Sequence, residues 1–283
     1  MQITPLTGTI GAEVHGIDLN RLDAATEEQL EQAFADHLVL VFRAQRMTPT
    51  DLMALTNRLG GPGDTPYLQG LPDYPDVVRV IKEAKEKSQH SFGAGWHTDF
   101  TFQERPPART LLYAVDTPPS GGDTLYANQY AAFEALSEGM KSSLLGLNAV
   151  HSAVRSYGPN ATLKDHMENM TITNDSDEPE TRLHPVIRKH PVTGRPALWV
   201  NPTYTIRFED MTEQESNTLL DYLNALIVHP GHCCRVRWQP GTLTMWDNRA
   251  TQHCATSDYR GYRREMWRTT TAGEIPSAYS KDC

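Results

Sequence analysis

Apolar positions in the first part of the chain follow two periods, one typical of helices and one typical of buried strands. Leu30 and Phe34 stand four residues apart behind a Thr26/Gln29 capping-box pattern, which predicts an amphipathic helix. The run LVLVF at 38–42 is apolar at every position, which predicts a strand buried on both faces. The opening segment GTIGAEVHGIDL alternates apolar and polar residues between glycines and predicts short strands joined by turns.

Capping signals mark where further helices begin. Thr48 and Pro49 are typical of an N-cap and a first helical position, and this helix should end near the glycines at 60–61. Thr212 with Glu215 forms a capping box ahead of an apolar stripe. Two shorter helices are predicted to begin near Asn128 and after Ser137.

Short strand-like segments separated by glycine and proline turns fill most of the chain after position 61. The predicted strands are Val77–Ile81, Trp96–Phe102, Thr110–Val115, Thr124–Ala127, Leu198–Val200, Cys234–Trp238, Thr242–Trp246 and Met266–Thr270. Many short strands with a few helical interruptions are typical of a sandwich or barrel. The pattern therefore predicts a mainly β fold with flanking helices. A chain of 283 residues allows one large domain or two small ones, and we expect a single domain over 1–283.

One stretch, Ser156–Thr181, is polar and contains few residues that would form a core. A loop of this length inside a compact domain is typically a functional lid or a mobile insertion. Both interpretations stay open at this point.

Composition narrows the function classes. The chain has 283 residues and a formal net charge of −9, so it lacks the basic surface expected of a nucleic-acid-binding protein. No apolar run approaches the ~20 residues of a membrane-spanning helix. The N-terminus has no secretory pattern, and the four cysteines form no CxxC pair. We therefore expect a cytoplasmic protein without membrane or nucleic-acid partners.

The most informative local pattern is Trp96-His97-Thr98-Asp99. Residues two apart on a strand face the same side, so an imidazole and a carboxylate would lie together. With one more histidine they would form the facial triad of a non-haem Fe(II) oxygenase. The spacing leaves six histidines open as the third ligand: His151, His184, His190, His229, His232 and His253.

Two arginines near the C-terminus offer a complementary signal. Arg264 and Arg268 would share one face of the last long predicted strand, because their separation is even. Arginine binds carboxylates through two parallel hydrogen bonds. Such a strand close to a metal histidine would suit a dicarboxylate cosubstrate, whereas without a metal the pair would form ordinary surface ion pairs.

Five segments in this order resemble the taurine dioxygenase / 2,4-dichlorophenoxyacetate dioxygenase family of Fe(II)- and 2-oxoglutarate-dependent oxygenases. The segments are WHTDFTF, PPSGGDTLYANQYAAFEALS, LHPVIRKHPVTGRPALWVN, WDNRATQH and RREMWRTT. The resemblance extends over nearly the whole chain, from GAEVHGIDL to the last strand. It implies a double-stranded β-helix (a jelly-roll, cupin-like core), with Fe(II) as cofactor and 2-oxoglutarate and O2 as cosubstrates.

The resemblance also implies residue roles. The implied iron ligands are His97, Asp99 and His253, which with Arg268 make up the catalytic set. Thr124 and Arg264 resemble the residues that hold the distal carboxylate of 2-oxoglutarate. Arg268 resembles the arginine that reaches the anionic group of the substrate. Because Asp99 is present where related iron halogenases carry a small residue, halogenation is disfavoured.

The substrate positions depart from the taurine pattern. Thr65 and Gly93 stand where taurine enzymes carry a histidine and an asparagine, so a small aminosulfonate would lose polar partners. Tyr204 and Ala153 align near two phenylalanines of the family's pocket, and Phe100 is also assigned to the substrate site. The expected substrate is a larger anion: a carboxylate, sulfonate or sulfate ester, aryloxyalkanoates included.

Two alternatives remain at the level of sequence. The same iron site supports desaturation, cyclisation or epimerisation in natural-product biosynthesis. A non-catalytic binding protein on the same scaffold is the more remote option, since no iron ligand and neither arginine is missing. The resemblance further implies a homo-oligomer, either a dimer or a tetramer.

Overall fold

The computed structural model describes residues 1–173 and 180–280. The strands β1 to β17 are, in chain order, Gln2–Pro5, Ala12–His15, Val39–Phe42, Gly70–Leu71, Tyr74–Lys82, Arg109–Asp116, Thr124–Asn128, Asn148–Ser152, Thr181–Pro185, Ile187–Lys189, Pro196–Leu198, Thr205–Phe208, Cys233–Val236, Leu243–Asp247, Thr251–Ala255, Arg264–Thr270 and Ser277–Ala278. The helices α1 to α6 are Ala24–His37, Pro49–Arg58, Gln129–Glu134, Glu138–Leu144, Val154–Tyr157 and Glu213–Ile227. The chain is therefore mainly β with few helices, as the pattern predicts.

Two packed sheets form the centre of the described structure. Eight strands make one sheet in the order β1-β2-β3-β14-β6-β16-β5-β4, and three make another in the order β13-β7-β15. Val78 and Leu112 of the large sheet belong to the same buried cluster as Tyr126 and Val236 of the small one. The sheets thus face each other across a shared apolar layer, as in a sandwich.

Strand β3 shows why the run at 38–42 is apolar throughout. Val39 and Val41 enter the layer between the sheets. Leu40 and Phe42 point to the opposite face, where they pack in a second cluster with residues of α1 and α2. Successive side chains of a strand alternate between faces, so a central strand covered on both sides has no polar position.

The capping predictions for two helices are confirmed, and that for α1 needs a correction. At α2 and α6 the capping boxes Thr48/Asp51 and Thr212/Glu215 are both present, with Pro49 opening α2. Helix α1 begins two residues before Thr26, because the carboxylate of Asp23 accepts the Thr26 backbone N–H and so caps the helix.

The predicted strand Trp96–Phe102 is wrong. Only His97 makes a β-bridge, and the chain turns from Asp99 onward. Phe100 has a φ of 46°, in the left-handed region, and this conformation ends the extended path. His97 and Asp99 nevertheless reach the same place, as described below.

The polar stretch 156–181 is partly ordered into short elements. It includes the end of α5 and a 3-10 helix at Leu163–His166, and it ends at the start of β9, which pairs with β8 in a separate three-stranded sheet with β12. The rest of the stretch, at 174–179, lies outside the described residues. Among the described helices, none combines the length and apolar character needed to cross a membrane.

Candidate active site

Three ligand-type side chains converge between the two sheets. His97 and His253 form an antiparallel bridge, in which each backbone N–H donates to the other's carbonyl at 3.0 and 2.8 Å. Their rings lie side by side, with centroids 4.1 Å apart. One potential ligand atom each from His97, Asp99 and His253 all lie within 4.8 Å of one another, and all three residues are buried. Among the six histidines that spacing alone allows as the third ligand, His253 on β15 is the one that lies beside His97 and Asp99.

The hydrogen bonds around these groups suit a bound metal. The Nδ1 of His97 lies 2.7 Å from the Gly95 carbonyl, which can only accept, so Nδ1 carries the proton and Nε2 keeps its lone pair. Nε2 of His97 and Nε2 of His253 lie 3.6 and 3.8 Å from Oδ1 of Asp99. Two imidazole nitrogens and one carboxylate oxygen are the donor set of a 2-His-1-carboxylate iron centre. The residues present therefore fit Fe(II).

Electrostatics keep Asp99 and His253 in the protonation states that metal ligation needs. Burial alone would raise the pKa of Asp99, but Arg268 and the two histidines hold it well below its usual range. Burial, together with the neighbouring His97, lowers the pKa of His253 well below its usual value. A charged carboxylate beside a neutral imidazole is ready to bind a divalent cation without first releasing a proton.

A second cationic group lies deeper in the same region. Arg264, on β16, is buried, and its Nε donates to the Gly122 carbonyl at 3.1 Å. Its guanidinium lies 5.9 Å from each of the rings of Trp238 and Tyr259. The indole of Trp238 donates to Oγ1 of Thr124 at 3.0 Å, which leaves the threonine hydrogen for another acceptor. Arginine and threonine thus present donors to the same space, as a carboxylate requires.

Arg268 lies four residues further along β16, close to the metal ligands. Its Nη2 is 2.9 Å from Oδ1 of Asp99, and its guanidinium stacks over the Phe100 ring at 4.9 Å. The contact with Asp99 is an ion pair without hydrogen-bond geometry, since neither Nη1 nor Nη2 of this buried side chain has a hydrogen-bond partner in the described structure. Buried donors without acceptors are uncommon, and the two Nη groups could each donate to a further anion.

Two cavities adjoin the ligands. A narrow inner cavity of about 40 Å³ is lined by all three ligands together with Thr124, Arg264 and Arg268. An outer cavity of about 300 Å³ opens beyond His97 and has Phe92, Tyr157, Leu163 and Tyr204 among its walls. Gly93 borders both cavities.

The other sequence assignments to the pocket fall elsewhere. Phe100 and Thr65 line neither cavity, although Phe100 supports Arg268 from beneath. Ala153 is buried in the core, and the aromatic residue that lines the outer cavity on this segment is Tyr157.

Sequence reasoning missed several neighbours of the site. Burial raises the pKa of Tyr157 to about 12, so its hydroxyl stays protonated. Tyr157 stands inside the polar stretch 156–181, where its aromatic side chain is the one local signal that it borders a pocket. Trp238 and Tyr259 flank Arg264 from two different segments, and no local motif connects them to it.

Comparison with known proteins agrees with this geometry. Residues 2–270 match the sequence model of the family described as taurine catabolism dioxygenase TauD, TfdA family. An alkylsulfatase of Acinetobacter baylyi is 34% identical, with 97% of this chain and 86% of the relative aligned. An alpha-ketoglutarate-dependent sulfate ester dioxygenase of Pseudomonas putida is also 34% identical, over 98% of this chain and 91% of the relative.

A solved structure gives the same result in three dimensions. A taurine dioxygenase from Burkholderia xenovorans superposes with a TM-score of 0.82 at 32% sequence identity. The match covers 98% of this chain and 92% of that one. The similarity thus extends over the whole fold and is not confined to the ligand motif.

Proposed function

Because the chain belongs to the TauD, TfdA family and is an alpha-ketoglutarate-dependent dioxygenase, we propose that it hydroxylates a C–H bond of an amphipathic organic anion. Fe(II) is its cofactor, and 2-oxoglutarate and O2 are its cosubstrates. The anion is a sulfate ester, sulfonate or carboxylate, aryloxyalkanoates included, rather than taurine. His97, Asp99 and His253 hold the iron in this proposal.

The proposal of an anionic substrate is supported chiefly by the burial of Arg268 and by the lack of hydrogen-bond partners for its Nη atoms among the described residues. This guanidinium is 4% exposed, and both of its Nη atoms lack a hydrogen-bond partner within the described residues. It already lies against one carboxylate, Asp99, and an incoming sulfate or carboxylate would supply the acceptors that it lacks. Anchoring the anion here would place the adjoining carbon close to the iron ligands.

Arg264 and Thr124 would hold the far carboxylate of 2-oxoglutarate. Burial lowers the pKa of Arg264, which shows that its desolvation is not fully compensated by the neighbouring groups. A dicarboxylate would supply that compensation through charge-assisted hydrogen bonds. The indole of Trp238 donates to the Thr124 oxygen, which leaves the threonine hydrogen available to a carboxylate.

The bound iron, with 2-oxoglutarate and O2, supplies the oxidising power for C–H hydroxylation, and the protein's part is placement. If the hydroxylated carbon carries a sulfate or ether oxygen, the hydroxyl loses its proton, a carbonyl forms and the C–O bond to the leaving group breaks. A sulfate ester would then give an aldehyde or ketone and sulfate.

The outer cavity supports a substrate larger than taurine. Its volume of about 300 Å³ lies at the lower end of ordinary ligand pockets. Phe92, Tyr157 and Leu163 give it an apolar wall, suitable for an alkyl or aryl tail extending away from Arg268.

The test is succinate formation from 2-oxoglutarate with Fe(II) and O2, against alkyl sulfates, sulfonates, aryloxyalkanoates and amino acids. We expect at least one amphipathic anion to stimulate succinate formation, and His97→Ala to abolish it. His15→Ala changes an exposed histidine of β2 and should behave as wild type. Full activity in the His97 variant would refute the iron assignment, and stimulation by taurine above all other compounds would refute the substrate class.

Three finer features belong to the same proposal. The packed sheets would form a double-stranded β-helix, and residues 1–283 a single catalytic domain. Assembly into a dimer or tetramer stays a prediction, which sedimentation velocity would test.

A further inference from the structure

Oδ2, the carboxylate oxygen of Asp99 that faces away from the histidines, is held by a buried chain of hydrogen bonds. Thr110, on β6, donates its hydroxyl to this oxygen at 2.6 Å. The side-chain amide of Asn248 donates to the Thr110 oxygen at 2.8 Å. The indole of Trp246 donates to the Asn248 side-chain oxygen at 3.0 Å. Each of these residues is at most 4% exposed.

The direction of these hydrogen bonds is fixed by which of the side-chain groups can only donate or only accept. An indole nitrogen can only donate, so Trp246 sets which end of the Asn248 amide is the oxygen. The Asn248 nitrogen can then only donate to Thr110. The single hydroxyl hydrogen of Thr110 is therefore left for Asp99, whose charged carboxylate can only accept. The backbone N–H of Asn248, which donates to the Ala108 carbonyl at 3.0 Å, keeps the whole unit in place.

The other oxygen of Asp99, Oδ1, faces two competing partners. It points to the Nε2 atoms of His97 and His253, and it also lies 2.9 Å from Nη2 of Arg268. Arg268 has two Nη groups without hydrogen-bond partners in the described structure. A carboxylate free to rotate would close a two-bond fork with this guanidinium, which is the preferred geometry of such pairs.

We propose that Thr110 is a positioning residue that keeps Asp99 directed at the metal and prevents it from closing a two-bond ion pair with Arg268. By holding Oδ2, it leaves only Oδ1 for the iron. It also leaves the Nη atoms of Arg268 for the substrate anion. The inference rests on the proposed function, since it takes Asp99 as a metal ligand.

The test compares metal affinity in variants that differ by one hydroxyl. Thr110→Val removes it at constant shape, and Thr110→Ser restores it. Thr269→Val is the matched control: Thr269 is equally buried on the neighbouring strand β16, but its hydroxyl bonds Thr56 of α2, outside the site. Mn(II) affinity is measured by calorimetry under saturating 2-oxoglutarate. Anaerobic Fe(II) titration, followed by the colour of the iron–2-oxoglutarate complex, gives a second readout.

We expect Thr110→Val to weaken Mn(II) and Fe(II) binding by about 10-fold to 100-fold, as for other residues that orient a metal ligand. Thr110→Ser and Thr269→Val should stay within about threefold of wild type. Wild-type affinity in Thr110→Val, or an equal loss in Thr269→Val, would overturn the proposal. If the valine variant fails to fold, as judged by circular dichroism, Thr110→Ala against Thr110→Ser gives the same comparison. Failure of the wild-type protein itself to bind either metal would instead refute the proposed function.

Discussion

The buried ion pair behind the third ligand offers a quantitative test of how the site is held. The carboxylate of Asp247 is fully buried and accepts four hydrogen bonds. Three come from Arg249, through its backbone N–H, its Nε and its Nη2, at 2.9, 2.7 and 2.6 Å. The fourth comes from Nε2 of His190 at 3.0 Å. Asp247 ends β14, and the turn that holds Arg249 leads directly into β15 and therefore to His253.

Asp247→Asn removes the charge while keeping the shape. Burial by itself would raise the pKa of Asp247, but Arg249 and His190 lower it, so the native group is charged. The amide has one accepting oxygen in place of two, and its N–H2 group faces donors. Arg249, at 6% exposure, then stays buried without its counter-ion. Breaking one side of a buried pair costs about 3–5 kcal/mol, a large part of the roughly 5–15 kcal/mol that stabilises a typical domain.

The assay is urea unfolding followed by tryptophan fluorescence and circular dichroism. Glu134→Gln is the matched control, because it breaks the exposed Arg195–Glu134 pair, whose side chains are 43% and 62% exposed. That change should cost at most about 1 kcal/mol. If Asp247→Asn destabilises the protein no more than Glu134→Gln does, the reasoning from burial is refuted.

Three further changes address the cosubstrate, the substrate and pH. Arg264→Lys keeps the charge but loses the planar guanidinium, so about 1.5–3 kcal/mol of charge-assisted hydrogen bonding to 2-oxoglutarate should be lost. The KM for 2-oxoglutarate should therefore rise about 10-fold or more. An unchanged KM in steady-state assays would contradict the assignment of Arg264. Arg268→Met should lower succinate formation stimulated by substrate while leaving 2-oxoglutarate affinity, measured by calorimetry, near wild type. His184 is buried and donates to the Gln103 carbonyl at 2.8 Å, and burial lowers its pKa from 6.5 to about 4. As pH falls, His184 is therefore protonated in the unfolded state before the folded state, and about 3 kcal/mol of the free energy of unfolding should be lost between pH 6.5 and 4. In His184→Gln the free energy of unfolding should depend less steeply on pH. An equally steep dependence in that variant would exclude His184 as the cause.

Much of the fold follows from local sequence signals. The helices at Pro49 and Glu213 begin where their capping residues predict, because each cap satisfies backbone donors within a few residues. The strand predicted at Thr110–Val115 is found at Arg109–Asp116. The segment after Trp96 was mispredicted, because the left-handed conformation of Phe100 depends on packing that a local pattern does not contain.

The site was predictable to the extent that its residues share a short segment. His97 and Asp99 stand two apart, and Arg264 and Arg268 share a strand face, so local spacing brought out each pair. Spacing alone leaves His253 as one of six candidates, and only the family resemblance implies it as the ligand. The contact between Thr110 and Asn248 has no local signal, since the two residues are 138 positions apart and meet only through the pairing of β6 with β14.

The walls of the two cavities come largely from different parts of the sequence. His253 and both arginines lie on strands of the packed sheets, and His97 and Asp99 lie in the segment between β5 and β6. The wall of the outer cavity, by contrast, includes α5 and the 3-10 helix at Leu163–His166. Under the proposed function, substitutions in these two elements would change the length and bulk of the accepted tail and leave all three iron ligands in place, whereas Phe92, Gly93 and His97 border both cavities.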